Sequence, residues 1–142
     1  METATEQLHE FLEHVVLENC LELFGVQDQA AMHVDARLRR LRLLNAVWGL
    51  DRAVYQAFFA QARLPRFDEF LADLVAREPA LAEVRELSNA LKKHRHGVLL
   101  ADERLTAYLC AGTQRVLESA FEFWLDYSLA LGRSLTPPAR LG

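Results

Sequence analysis

Apolar residues recur along this chain at the i, i+3, i+4, i+7 spacing of amphipathic helices, not in the alternation of strands. Over residues 6–24 the stripe reads Leu8, Phe11, Leu12, Val15, Val16, Cys20 and Leu23, and Gly25 supplies a stop. Asp28 is a cap for a second helix entering at Gln29. Its stripe is expected to be Val34, Leu38, Leu41, Asn45, Trp48, Tyr55 and Phe59. Unbroken, that helix would reach roughly 35 residues, longer than most, so Gly49-Leu50-Asp51 is a candidate kink or break.

Pro65 closes this element, and Phe67, Phe70, Leu71, Leu74 and Val75 mark a short third helix. Glu78-Pro79 is a boundary, with proline placed in the first turn of the next helix, where its missing N–H costs nothing. That fourth helix is expected to bury Leu81, Val84, Leu87, Ser88 and Leu91 and to end at or just after His96-Gly97. Residues 98–103 read as a turn. The last helix is expected to start near Asp102 and to run without interruption through Leu105, Leu109, Gly112, Val116, Ala120, Trp124, Tyr127 and Leu131 to Gly132. A break at Gly112, with Thr113 as a fresh cap and 98–100 pairing with 105–109 as a small hairpin, is the alternative. Four or five such helices with short links fold most economically as an all-α antiparallel bundle. The expected domain is 1–133, with 134–142 as a tail.

Composition agrees: among 142 residues 51% are hydrophobic and 25% charged, and Gly and Pro are scarce. A net charge of −4 disfavours bulk attraction to nucleic acid or anionic lipid, so such binding would need a local patch. No apolar run reaches the roughly 18–20 residues that span a bilayer, and the acidic N-terminus does not read as a signal peptide. Cys20 and Cys110 both fall on apolar stripes and read as packed thiols of a reducing compartment. The expectation is a cytoplasmic protein with no membrane contact and no cofactor.

The candidate chemistry lies in residues 85–96, R-E-L-S-N-A-L-K-K-H-R-H. If the helix runs through His96, Arg85, Asn89, Lys92 and His96 share one stripe. Arginine and lysine grip anionic oxygens, asparagine orients a hydroxyl, and histidine moves protons near neutrality. Cleaving RNA through its own 2′-hydroxyl needs that set: a base for the hydroxyl and cations for the developing charge. Against this, cations favour any helix C-terminus through the macrodipole, and polar residues belong on an exposed face.

The same stretch, V-R-E-L-S-N-A-L-K-K-H-R, resembles the R-x-x-x-N-x-x-K-H helix of many HEPN-like proteins. Upstream, L-N-A-V-W-G-L-D-R-A-V-Y is similar to the long helix that precedes it in that family. The resemblance covers about half the chain. It implies a bundle of four to five helices, often a homodimer, and in several members a metal-independent ribonuclease. The family's signature is Arg, four to six residues, then His, frequently with Asn directly after the Arg. Here Asn89 and His94 fit, but Ser88 stands where the Arg belongs, and eight residues separate Arg85 from His94, outside the usual range. His94 also lies on the opposite side of a helix from Arg85, whereas His96 faces the same way. The resemblance therefore implies RNA or nucleotide-like anion binding through Asn89, Lys92, Lys93 and Arg95 without robust cleavage. If cleavage occurs, His96 or His94 would transfer the proton and Arg85 would clamp the phosphate.

Other groupings weigh less. Arg37, Arg39, Arg40 and Arg42 spread around their helix and read as stems covering the edge of a seam. Glu6-x-x-His9 has di-iron spacing but no second copy, and His94-x-His96 has no third ligand, so no metal site is expected. Ser88 and Cys20 lie in apolar stripes and read as packed groups rather than nucleophiles. Asn45 is expected to face inward, fixing the register of the bundle or lining a cavity. Phe121, Phe123, Trp124 and Tyr127 wrap more than one face of the last helix. That points to a second burial surface there, for a homodimer or a partner protein in a non-enzymatic interaction module.

Overall fold

A computed structural model describes residues 3–28, 36–61, 66–92, 108 and 110–132. Helices account for nearly all of them: α1 (Ala4–Phe11), a π-helical segment (Leu12–Leu17), α2 (Glu18–Asp28), α3 (Ala36–Gln61), α4 (Phe67–Arg77), α5 (Ala80–Leu91) and α6 (Ala111–Ala130). There is no strand among the described residues, and none of their helices is long and apolar enough to cross a membrane.

The N-terminal rod starts at a capping box. Glu6 N–H donates to Thr3 Oγ1 at 3.1 Å and Thr3 N–H donates to Glu6 Oε2 at 2.9 Å, so T-A-T-E opens the helix earlier than the apolar stripe suggests. The backbone stays helical at Leu12 and Glu18, joining α1, the π segment and α2 end to end, and the rod continues through Gly25 to Asp28. The π segment has a consequence for burial. Steps of four overshoot an α turn and would carry Leu8, Leu12, Val16 and Cys20 gradually off the core. A wider π turn takes up that overshoot, and all four are buried. Leu17 is turned inward as well.

α3 is the hub and packs against every other helix among the described residues. It runs without a break through Gly49. A Cβ placed there would meet Val15 Cγ1 at 3.4 Å and the Val15 and Val16 backbone at 3.7 Å, so Gly49 marks where α3 crosses the π segment closely. Gln61 Nε2 donates to Thr5 Oγ1 at 2.6 Å, and Arg42 pairs with Glu22. The end of α3 thus meets the start of α1, and its first half meets α2: the two rods are antiparallel. His9 and Ser128, hydrogen-bonded at 2.7 Å, bring the last turn of α1, in the first half of the N-terminal rod, to the end of α6 in the same sense.

The face of α3 that enters the core is not the expected one. Leu43, Ala46, Val47, Leu50, Ala53, Val54 and Ala57 are buried, whereas Leu38, Leu41, Trp48 and Phe59 are exposed and Asn45 is only half-buried. Apolar residues surround this helix, so periodicity offered two stripes on opposite sides. The alanine-rich one lets its neighbours approach closely.

α4 begins after the extended Arg66, with Asp68 and Glu69 favouring its N-terminus and Arg77 its last turn. Glu78 is extended ahead of Pro79, as the residue before proline must be, and Pro79 opens α5. α5 ends at Leu91, with Lys92 as its C-cap. The expected run to His96-Gly97 lies outside the described residues.

The uninterrupted last helix is corrected: Cys110 is extended (φ −130°, ψ 165°) and is itself the N-cap of α6, close to the alternative break at Gly112. Cys110 is consequently exposed rather than packed, its Sγ 3.4 Å from Thr113 Oγ1. Gly132, at φ 91°, closes α6 as expected. The second helix's start at Gln29, the Pro65 stop, the hairpin over 98–109 apart from Tyr108, and the tail from 134 lie outside the described residues.

Trp124 is fully buried with its edge against Phe123 and Tyr127, at centroid distances of 5.0 and 5.3 Å, and Phe24 meets Phe121 at 5.7 Å. Much of the aromatic cluster on the last helix is thus spent on the core of its own chain.

Candidate functional site

The residues singled out from sequence divide at the α3–α5 contact. Arg85 does not project from the surface. It reaches across to α3, where its Nη2 donates to Tyr55 Oη at 2.8 Å and its Nη1 lies 3.4 Å from Asp51 Oδ1. The guanidinium carbon sits 5.3 Å from the Tyr55 ring centroid and 5.2 Å from that of Phe67. Those two rings are stacked at 4.5 Å with 10° between their planes. Arg52 lies 5.1 Å from the same Tyr55 ring. The arrangement is an aromatic-walled ion pair at a helix–helix contact.

Local sequence accounts for it. Asp51 and Tyr55 are one turn apart on α3, and Arg85 and Ser88 are one turn apart on α5, so each helix offers two polar groups on its contact face. Burial pushes the Asp51 carboxyl up from its ordinary range, against the opposing pull of Arg85, the Ser88 hydroxyl and Lys92. For Arg85, burial favours the neutral form, but the Tyr55 hydroxyl and the Asp51 charge outweigh it and raise its pKa. Asp51 is the more enclosed partner, so desolvation dominates on its side. Asp51, Tyr55 and Ser88 were not connected with Arg85 in the sequence. The available signal was the Asp51–Tyr55 spacing of four, with Asp51 the one acidic residue of an arginine-rich helix.

Asn89 and Lys92 are exposed, one and two turns beyond Arg85. Lys93, His94, Arg95 and His96 lie outside the described residues. An open groove of about 490 Å³ between α5 and α6, lined by Glu83, Glu86, Leu87, Tyr108, Thr113 and Val116, presents two carboxylates at its rim. It suits a cation better than a phosphate.

The remaining groups have structural roles. Arg40 is buried and Arg42 pairs with Glu22, so the arginine run is not a free basic patch. Glu6 is used in the capping box and His9 is turned inward to Ser128, which separates the Glu6-x-x-His9 pair. Among the described residues no three His, Cys, Asp or Glu converge as metal ligands. Burial pushes the Cys20 thiol far up, leaving it an inert packed group, whereas hydrogen bonds from Thr113 lower that of Cys110. Compared with protein-family models, curated proteins and solved structures, the chain matches none of them.

Proposed function

We propose that this protein is a HEPN-like helical bundle of the cytoplasm, acting as a homodimer. In this reading it binds RNA or a nucleotide-like anion with the basic residues that follow α5 in the sequence, without robust ribonuclease activity. The observation that carries the second half is the commitment of Arg85. Its guanidinium is held by Asp51 and Tyr55 and walled by Phe67, so it stiffens the base of the basic segment instead of clamping a phosphate. A ribonuclease lacking that clamp loses its main stabiliser of developing negative charge. Support for the first half is the exposure of Asn89 and Lys92 immediately ahead of K-H-R-H in the sequence.

Fluorescence anisotropy with a labelled single-stranded RNA tests this. The wild-type chain is expected to bind with an affinity that falls steeply with salt. The triple variant Lys92→Glu, Lys93→Glu, Arg95→Glu should lose binding while keeping its helical circular dichroism. The RNA should be recovered intact. Equal binding by the triple variant would refute the binding surface, and rapid cleavage by the wild type would refute the non-catalytic half.

A further inference from the structure

The crevice between α5 and α6 holds two recesses that the packing of these helices leaves open. The larger, about 490 Å³, is floored by half-buried Leu87, Ala90, Tyr108 and Val116, with Glu83 and Glu86 one turn apart at its rim. The smaller, about 270 Å³, lies further along the same two helices, between Glu78 just ahead of α5 and Glu122 and Asp126 of α6. From Thr113 to Asp126 the α6 wall runs about 20 Å. Two carboxylates thus line the first recess and three the second. Among the described residues, none of these side chains has a hydrogen bond or an ion pair. The cation beside them, Arg77, lies over the Phe123 and Tyr127 rings, 5.3 and 5.7 Å from their centroids.

We infer that this crevice docks a basic amphipathic helix of a partner protein. Each feature of the lining narrows the occupant. The excess of carboxylates repels nucleic acid, lipid phosphate and acidic peptides. A free polyamine finds acids but no enclosure, and ion pairs left in water contribute little. It would also leave the apolar floor of the first recess hydrated. A helix satisfies both at once: its apolar side chains rest on Leu87, Tyr108 and Val116, and its Lys or Arg stems reach the carboxylates at the rim. A wall of about 20 Å accommodates about 13 helical residues, nearly four turns. The arginine-rich start of α3 in a second copy does not supply that helix, because Arg40 is buried and Arg42 is paired with Glu22.

This inference stands apart from the RNA binding and the homodimer of the preceding section. Fluorescence anisotropy of the full chain tests it with a labelled helical peptide of about 14 residues, leucines on one face and lysines on the other, at about 0.15 M salt. The control peptide has the same composition, scrambled so that its leucines share no face. The wild type is expected to bind the ordered peptide at least about tenfold more tightly than the scrambled one. The double variant Glu83→Lys, Glu86→Lys should weaken that binding by about tenfold or more. Glu10→Lys, Glu69→Lys changes the net charge equally on α1 and at the start of α4, and should leave binding within about twofold. All four positions are exposed, so both variants should keep the wild-type circular dichroism. Equal binding of the two peptides, or displacement of the ordered one by micromolar spermine, would overturn the helical occupant. Binding untouched by the crevice variant, or weakened as much by the distant one, would overturn the site. Self-association of the peptide-free chain that the crevice variant dissolves would make a second copy the occupant and overturn the foreign partner.

Discussion

The two sides of α3 are built from opposite kinds of apolar residue. Inward it shows Ala46, Ala53 and Ala57 with Leu43, Val47, Leu50 and Val54, while Gly49 marks its crossing of the π segment; outward it shows Leu38, Leu41, Trp48 and Phe59. The two largest of these side chains, Trp48 and Phe59, are exposed, and the alanines all face inward. A hub helix flanked by several others needs a slim contact surface, because close approach of backbones brings more atoms into dispersion contact than a few bulky side chains could. Hydrophobicity alone therefore does not say which stripe is core; shape does.

The contrast breaks most sharply on the inner side. Leu50→Ala, at a fully buried position, should cost about 2–5 kcal/mol, read as a lowered urea midpoint with an unchanged m-value. Second comes the α3–α5 ion pair. Arg85→Ala leaves Asp51 enclosed without its counter-charge and should cost about 1–3 kcal/mol at pH 7, because the pair is only partly buried. The sign of its pH dependence follows from Asp51. Its carboxyl takes a proton at higher pH in the folded chain than in the unfolded one. Protonation therefore favours the fold, and stability due to this group is lost as pH rises through the folded pKa. Without Arg85 the folded pKa rises further, so the deficit of Arg85→Ala should shrink on acidification from pH 7. A deficit constant down to the ordinary carboxylate range would show that Asp51 does not feel Arg85.

A smaller effect is expected at the crossing. Gly49→Ala adds a Cβ at ordinary contact distance from Val15 and removes a mid-helix glycine, so thermal melting should show a gain of about 0.5–1 kcal/mol. A loss would mean that the π segment sits too close to yield. The smallest effect belongs to the outer side: Leu41→Gln, measured dilute enough to hold the chain monomeric, should change stability by under about 0.5 kcal/mol.

Helix number and type were legible because each element carries its own local signals. These include the Phe67–Val75 periodicity, the Glu78-Pro79 boundary, the Gly132 stop and the buried Leu81, Val84, Ser88 and Leu91 of α5. The candidate site was legible only as residue types. Arg85 reads alike whether it faces solvent or an acid on another helix, and its partners lie 30 and 34 positions away. Cys110 was misread for the converse reason. Its spacing continues the apolar stripe of α6, but its backbone is extended and turns it outward.

What the chain determined by itself is what depends on neighbours within a turn or two: helical segments, a capping box at Thr3, an all-α composition. Tertiary structure decided the inward face of α3, the commitment of Arg85 to Asp51 and Tyr55, and the pairing of His9 with Ser128. The reason is physical. A helix with apolar residues on two sides has no preferred orientation until partners of a given shape are present. A charged side chain likewise has no assigned role until desolvation and its counter-charge fix one.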